Sequence, residues 1–148
     1  MRTIIREMTD EDRGEVFEMM KVFYASPAVS TNGSAQVFQA DIDHCVGDCP
    51  YLEGYIFQEG QEIQGYGMVA KSFSTEYGRC CIWIEDLYIR EPFRGNGIGS
   101  RFLNFMAEKY PEAILKLEVE KENERAIKVY EKCGYETLPY FERKRQNR

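Results

Sequence analysis

The spacing of apolar positions changes repeatedly along the 148 residues, and each change marks an element. Residues 3–6 read as a short first strand. Thr9-Asp10-Glu11-Asp12 reads as a helix start, with Thr9 as the cap and Asp12 at the third position of a capping box. Val16, Phe17, Met20, Phe23 and Tyr24 then recur at helical spacing until Ser26-Pro27 ends the run. A second helix is predicted over 34–45, with Val37, Phe38, Ile42 and Cys45 on one face. Strands follow over 52–58 and 62–74, separated by the short turn Glu59-Gly60-Gln61. Residues 80–89 form the strongest strand pattern.

After that strand comes Arg94-Gly95-Asn96-Gly97-Ile98-Gly99, then a helix carrying Ile98, Phe102, Leu103, Phe105 and Met106 that stops before Pro111. Residues 113–119 alternate as a strand. Asn123 opens a last helix, and Gly134 stands where a left-handed residue usually closes one. Residues 135–138 and 140–145 are expected to pair as a terminal hairpin around Pro139. The order is β-α-α-β-β-β-α-β-α-β-β. It describes an α/β (α+β) mixed sheet with helices on both faces, in a single domain over 1–148. The unit from 80 to 119 is expected to be a parallel right-handed crossover.

Composition narrows the function. The chain has 19 basic and 25 acidic residues, a net charge of −6. That excludes a general nucleic-acid binder, which needs a basic face to displace counterions. It also disfavours anionic membranes and suits a cationic small molecule. No apolar run approaches the roughly 20 residues that span a bilayer, and the first residues contain no signal-peptide core. Cys45, Cys49, Cys80, Cys81 and Cys133 are odd in number and two are adjacent, so they read as reduced thiols of a cytoplasmic protein. His44-Cys45 and Cys49 suggest metal, but no second pair completes a ligand set, and no metal is expected.

The glycine loop carries the chemistry. It lies between a buried strand and a helix, so its N–H groups and the positive end of the helix dipole favour an anion such as a pyrophosphate. A P-loop would need a Lys before Ser or Thr, which Ile98-Gly99-Ser100 lacks. A dinucleotide loop places its third Gly one residue later and nearer the first strand of a larger repeat. The spacing Arg94-x-x-Gly97-x-Gly99 fits the third phosphate loop, that of acyl-CoA-dependent acetyltransferases.

Residues 85–103, from Glu85-Asp86-Leu87-Tyr88-Ile89 through the loop to Leu103, resemble motif A of the GNAT superfamily of N-acetyltransferases. Residues 123–135, with Asn123, Ala126, Tyr130, Gly134 and Tyr135, resemble its motif B. The element order is similar to that fold over nearly the whole chain. Glu85-Asp86-Leu87-Tyr88 is also similar to the polyamine acetyltransferase branch. The resemblance implies acetyl-CoA as co-substrate and assigns roles. Backbone groups of Leu87, Tyr88 and Ile89 would pair with the pantetheine arm. N–H groups from Arg94, Gly95, Asn96, Gly97, Ile98, Gly99 and Ser100 would hold the pyrophosphate. Asn123 would contact the pantetheine or cap the last helix, Ala126 would leave room for the cofactor, and Tyr130 would point at the thioester sulfur. A homodimer is implied as well.

A lysine-like amine with a pKa of about 10.4 is almost wholly protonated at neutral pH, so a base helps it attack. Glu85, at the end of an apolar stretch, is the candidate base; the alternative is a structural carboxylate. Tyr130 is the candidate general acid; the alternative is a core tyrosine packed on Ile127 and Cys133. Phe23, Tyr24, Tyr51, Tyr66, Trp83 and Tyr140, with Asp41, Asp43, Glu85 and Asp86, are candidates to line the site of a cationic acceptor; the alternative is that most of these aromatics are core and the acids solvated surface. Three readings compete with a small-molecule N-acetyltransferase: a protein acetyltransferase, a non-catalytic acyl-CoA sensor and a nucleotide-binding regulator.

Overall fold

The computed structural model describes residues 2–147. Among them the strands and α-helices are β1 Ile4–Glu7, α1 Arg13–Tyr24, α2 Ala35–Val46, β2 Leu52–Glu59, β3 Glu62–Ser74, β4 Arg79–Ile89, α3 Ile98–Lys109, β5 Ile114–Leu117 and α4 Glu124–Lys132. The sheet order is β1-β2-β3-β4-β5. All neighbours are antiparallel except β4 and β5, which run parallel with α3 as their crossover. The mixed sheet and the order of these nine elements agree with the expectation.

The capping box forms as its residues predict. The Thr9 N–H donates to Asp12 Oδ2 at 2.8 Å, and α1 begins at Arg13 after a single 3-10 turn. Asp12 also accepts two 2.8 Å hydrogen bonds from the Arg6 guanidinium, which ties the entry of α1 to β1. Ser34 caps α2 by accepting from the Val37 N–H at 3.2 Å.

The sheet separates two apolar layers. Met19, Met20, Phe38, Ile42, Ile56, Tyr66 and Met68 fill the layer under α1 and α2. Tyr55, Phe57, Val69, Ile82, Ile84, Phe102 and Met106 fill the layer under α3. Gly67 explains how closely α3 approaches: a Cβ there would stand 2.6 Å from the Phe102 ring.

The terminal hairpin expected over 135–138 and 140–145 is not formed; residues 135–147 contain no strand. Glu142-Arg143-Lys144-Arg145 offers no alternating apolar face, and Tyr140 and Phe141 are 64% and 84% exposed. Without a face to bury, hairpin pairing is marginal. Side chains hold the segment instead. The Tyr140 hydroxyl donates to Glu76 at 2.8 Å, and Glu142 lies against Glu118.

Candidate active site

The site is organised by one extra residue. Val69 pairs with Ile84 and Met68 with Asp86, so Glu85 has no partner of its own on β3 and forms a β-bulge. Before the bulge, the even-numbered Ile82 and Ile84 face α3. Beyond it, the even-numbered Tyr88 belongs to the layer under α1 and α2, while Leu87 and Ile89 take the α3 side. The same switch turns Asp86 toward α1.

Asp86 is 4% exposed and sits among aromatic rings. Its Oδ2 accepts from the Tyr66 hydroxyl at 2.7 Å and its Oδ1 from the Tyr24 hydroxyl at 2.9 Å. Phe23 packs on Tyr24, Tyr66 and Tyr88 at 5.4, 6.4 and 5.6 Å between ring centres, and Tyr24 packs on Phe38 at 5.3 Å. Burial raises Asp86 above its ordinary value despite the two phenol hydrogen bonds, which pull it down. Burial followed by the Asp86 charge raises both Tyr24 and Tyr66, so both remain hydrogen-bond donors. Asp41 on α2 is raised to about 6, first by burial and then by the charges of Asp86 and Glu85. Glu85 is raised by burial and by the charges of Asp86 and Glu142. Carboxylates gathered on an aromatic floor form a place where a cation is favoured.

The opposite edge of β4 is open. Its pairing with β5 ends at Ile84 and Leu117, while β4 continues to Ile89. Leu87, Tyr88 and Ile89 therefore face a gap where a polar chain could pair as an added strand. The glycine loop stands at the far end of that gap. Gly97 caps α3 in the left-handed region, φ 76°, with no side-chain capping bond, so the N–H groups of the first turn face outward. Arg94 and Asn96 hold the loop itself. Arg94 Nε donates to the Ile89 carbonyl at 2.8 Å with its guanidinium 5.7 Å from the Tyr88 ring centre, and Asn96 Nδ2 donates to the Phe93 carbonyl at 2.9 Å.

From α4 comes the other wall. Asn123 accepts from the Ala126 N–H at 3.2 Å, so of its two expected roles it takes the cap in this structure. Tyr130 packs 6.2 Å from Tyr135, centre to centre, and burial alone raises its phenol. Arg125 is a residue the motif reading passed over. Its Nη2 lies 3.5 Å from where a Cβ on Gly95 would stand, which brings a cation from the first turn of α4 to the glycine loop. Its signal was a basic residue one position before Ala126, and only the packing of α4 on the loop gives it meaning.

Three aromatic candidates lie elsewhere. Tyr51 stacks on His44 and is 59% exposed. Trp83 sits under the Lys116 ammonium at 5.5 Å, and Tyr140 is tied to Glu76. Asp43 pairs with Arg13 at 2.6 Å. Phe38, read only as an apolar face residue of α2, instead joins the aromatic floor. Among the described residues no cluster of three or more His, Cys, Asp or Glu side chains is placed to hold a metal ion. No described helix is long and apolar enough to cross a membrane.

The arrangement fits acetyl-CoA on two counts. The first turn of α3 has no side-chain cap and lies beside Arg125, and the β4 edge is open. Fold and site together define an acyltransferase. The chain matches the model of the Acetyltransferase (GNAT) family over residues 16–135 and belongs to that family. It is an acetyl-CoA-dependent N-acetyltransferase. Thialysine N-epsilon-acetyltransferase of Bos taurus is 28% identical over 148 aligned residues, covering 91% of this chain and 85% of that protein. The Mus musculus counterpart is 26% identical, covering 92% and 85%. Among solved structures, a possible acetyltransferase from Clostridium difficile 630 superposes with a TM-score of 0.83 at 17% identity, covering 99% of each chain. AAC(6')-Iy in complex with the bisubstrate analog CoA-S-monomethyl-acetylneamine superposes with a TM-score of 0.75 at 16% identity, covering 99% of this chain and 100% of that one.

Proposed function

We propose that this chain acetylates a primary amine of a small cationic molecule by direct attack in a ternary complex. The carrying observation is Asp86, a carboxylate 4% exposed and hydrogen-bonded by Tyr24 and Tyr66 at the bulge of β4. Burying a carboxylate is costly unless it is used, and an ammonium group is the partner that this negative aromatic site favours. The names of the relatives, a thialysine and an aminoglycoside acetyltransferase, support a small amine.

Acetyl-CoA, when bound, supplies a thioester whose carbonyl carbon takes the amine and whose sulfur departs as a thiolate. The remaining work belongs to the chain. Backbone groups of Leu87, Tyr88 and Ile89 pair with the arm, and one N–H near Leu87 or Tyr88 donates to the carbonyl oxygen as charge develops there. N–H groups from Arg94 through Ser100, aided by Arg125, hold the pyrophosphate, and Ala126 keeps the wall low. Glu85 accepts the proton that the ammonium gives up to become the attacking amine, directly or through water, and the second N–H proton leaves to solvent as the amide forms. Tyr130 donates its phenol proton toward the sulfur. Asp86 and Asp41 orient the ammonium before it loses that proton.

The five described cysteines are all free thiols, which supports a reducing compartment such as the cytoplasm. The domain over 1–148 works as one unit and as a homodimer, an arrangement that light scattering of the purified chain tests. Initial velocities with acetyl-CoA and a thialysine-type amine both varied test the function. Intersecting double-reciprocal lines and an N-acetylated amine are expected. Parallel lines, or no acetylated amine with any lysine-type acceptor, would overturn the reading.

A further inference from the structure

Tyr135 carries the one buried side-chain polar atom among the described residues that lacks a hydrogen-bond partner. A phenol oxygen withdrawn from water without a partner costs folding free energy, and phenylalanine would fill the same space without that cost. Tyr135 is also locked in place: its N–H donates to the Tyr130 carbonyl at 3.0 Å, just past the end of α4 and beyond Gly134 at φ 92°. Its ring lies 6.2 Å from the Tyr130 ring at an interplanar angle of 57°. The ionisable groups facing it are Cys133 and Tyr130. The orphaned hydroxyl thus belongs to the ring packed against the ring of the phenol assigned above as the acid.

We infer that Tyr135 is a positioning residue for Tyr130: its hydroxyl donates to the Tyr130 oxygen, directly or through one water, when acetyl-CoA is bound. A donor on the Tyr130 oxygen occupies a lone pair and turns the Tyr130 hydrogen outward, toward the sulfur it must protonate. It also stabilises the phenolate left after that donation. Tyr135 keeps its own proton throughout; the proton that moves is that of Tyr130. The inference rests on the reading of Tyr130 as general acid.

The test compares wild type, Tyr135→Phe, Tyr130→Phe and the double variant, each saturated with CoA. Ring-labelled tyrosine gives the Tyr130 titration by NMR. The expected results are an upward shift of the Tyr130 titration in Tyr135→Phe, a roughly tenfold loss of turnover, and a thermal midpoint equal to or above wild type. The turnover loss vanishes when Tyr130 is already Phe. An unmoved Tyr130 titration overturns the inference, as does a turnover loss that persists undiminished in the Tyr130→Phe background. A lowered midpoint with unchanged titration marks Tyr135 as packing alone. If Tyr130→Phe turns over at the wild-type rate while Tyr135→Phe still shifts the Tyr130 titration, the contact stands and the acid assignment fails.

Discussion

Tyr66 donates a 2.7 Å hydrogen bond to Asp86, joining β3 to β4 through two side chains that are 0% and 4% exposed. The folded pKa of Asp86 is raised, with burial outweighing the two phenol bonds. A carboxyl raised on folding contributes less as pH climbs: stability falls from the unfolded value up through the folded one. Asp86→Asn removes that loss. Its thermal midpoint at neutral pH is expected to equal or exceed wild type. Its kcat/KM for a cationic amine is expected to fall by about tenfold or more, the scale of one charged hydrogen bond. Calorimetry and steady-state kinetics check the pair of outcomes. A lowered midpoint with unchanged kcat/KM would make Asp86 a purely structural group.

Tyr130→Phe is expected to lower kcat by about 10²-fold while the Kd for acetyl-CoA, measured by titration calorimetry, stays within experimental scatter. Glu85→Gln tests the other proton. Burial and the Asp86 and Glu142 charges raise Glu85 above the ordinary carboxylate value, so it accepts protons only above that shifted value. The wild-type rate should therefore fall as pH drops through it, and Glu85→Gln should flatten that acid limb. A profile of the same shape in both proteins removes Glu85 from the mechanism.

The glycine loop predicts losses confined to cofactor binding. Gly97→Ala has open space for its Cβ, but must hold φ 76°, at about 1–2 kcal/mol. Arg125→Ala removes the cation beside Gly95. Both are expected to weaken acetyl-CoA binding by about tenfold, with Arg125→Ala also reducing the salt dependence of Kd. Acceptor KM should be little changed in both. A normal Kd in Arg125→Ala would mean that the loop N–H groups act alone.

The Glu142 carboxyl facing Glu118, followed by burial and the charges of Glu142 and Glu85, raises Glu118 to about 7, so the two carboxyls can share a proton below that pH. The contact is present below that pH and is lost as pH rises through it. Limited proteolysis of residues 135–147 should therefore accelerate between pH 6 and 8, on the order of one unit either side of the shifted value. Glu118→Gln, which keeps a donor at every pH, should abolish the acceleration. Equal cleavage across this range in wild type would show that the contact does not hold the segment.

The periodicity of apolar residues was enough to find α1, α2 and α3, because each buries one continuous face and carries its own start signal. It could not find the bulge. That irregularity belongs to the pairing of Met68 and Val69 with β4, and β4 read alone alternates without a break at Glu85. The motifs marked the turn into α3 because backbone geometry at a helix start is a local property. The aromatic cluster around Asp86 was harder, since Tyr24, Phe38, Tyr66 and Asp86 come from four elements. Tyr51, Trp83 and Tyr140 are aromatic too but have different neighbours. The terminal segment failed for a related reason: its anchors, Tyr140 on Glu76 and Glu142 on Glu118, are side-chain contacts with distant residues.

The most direct test incubates the purified chain and acetyl-CoA with a mixed panel of polyamines, lysine analogues, aminoglycosides and short peptides, read by mass spectrometry. The account predicts a small amine that gains one acetyl group, with the product lost or strongly reduced in Tyr130→Phe. Acetylation of peptides alone, or bound acetyl-CoA with no product from any acceptor, would contradict it.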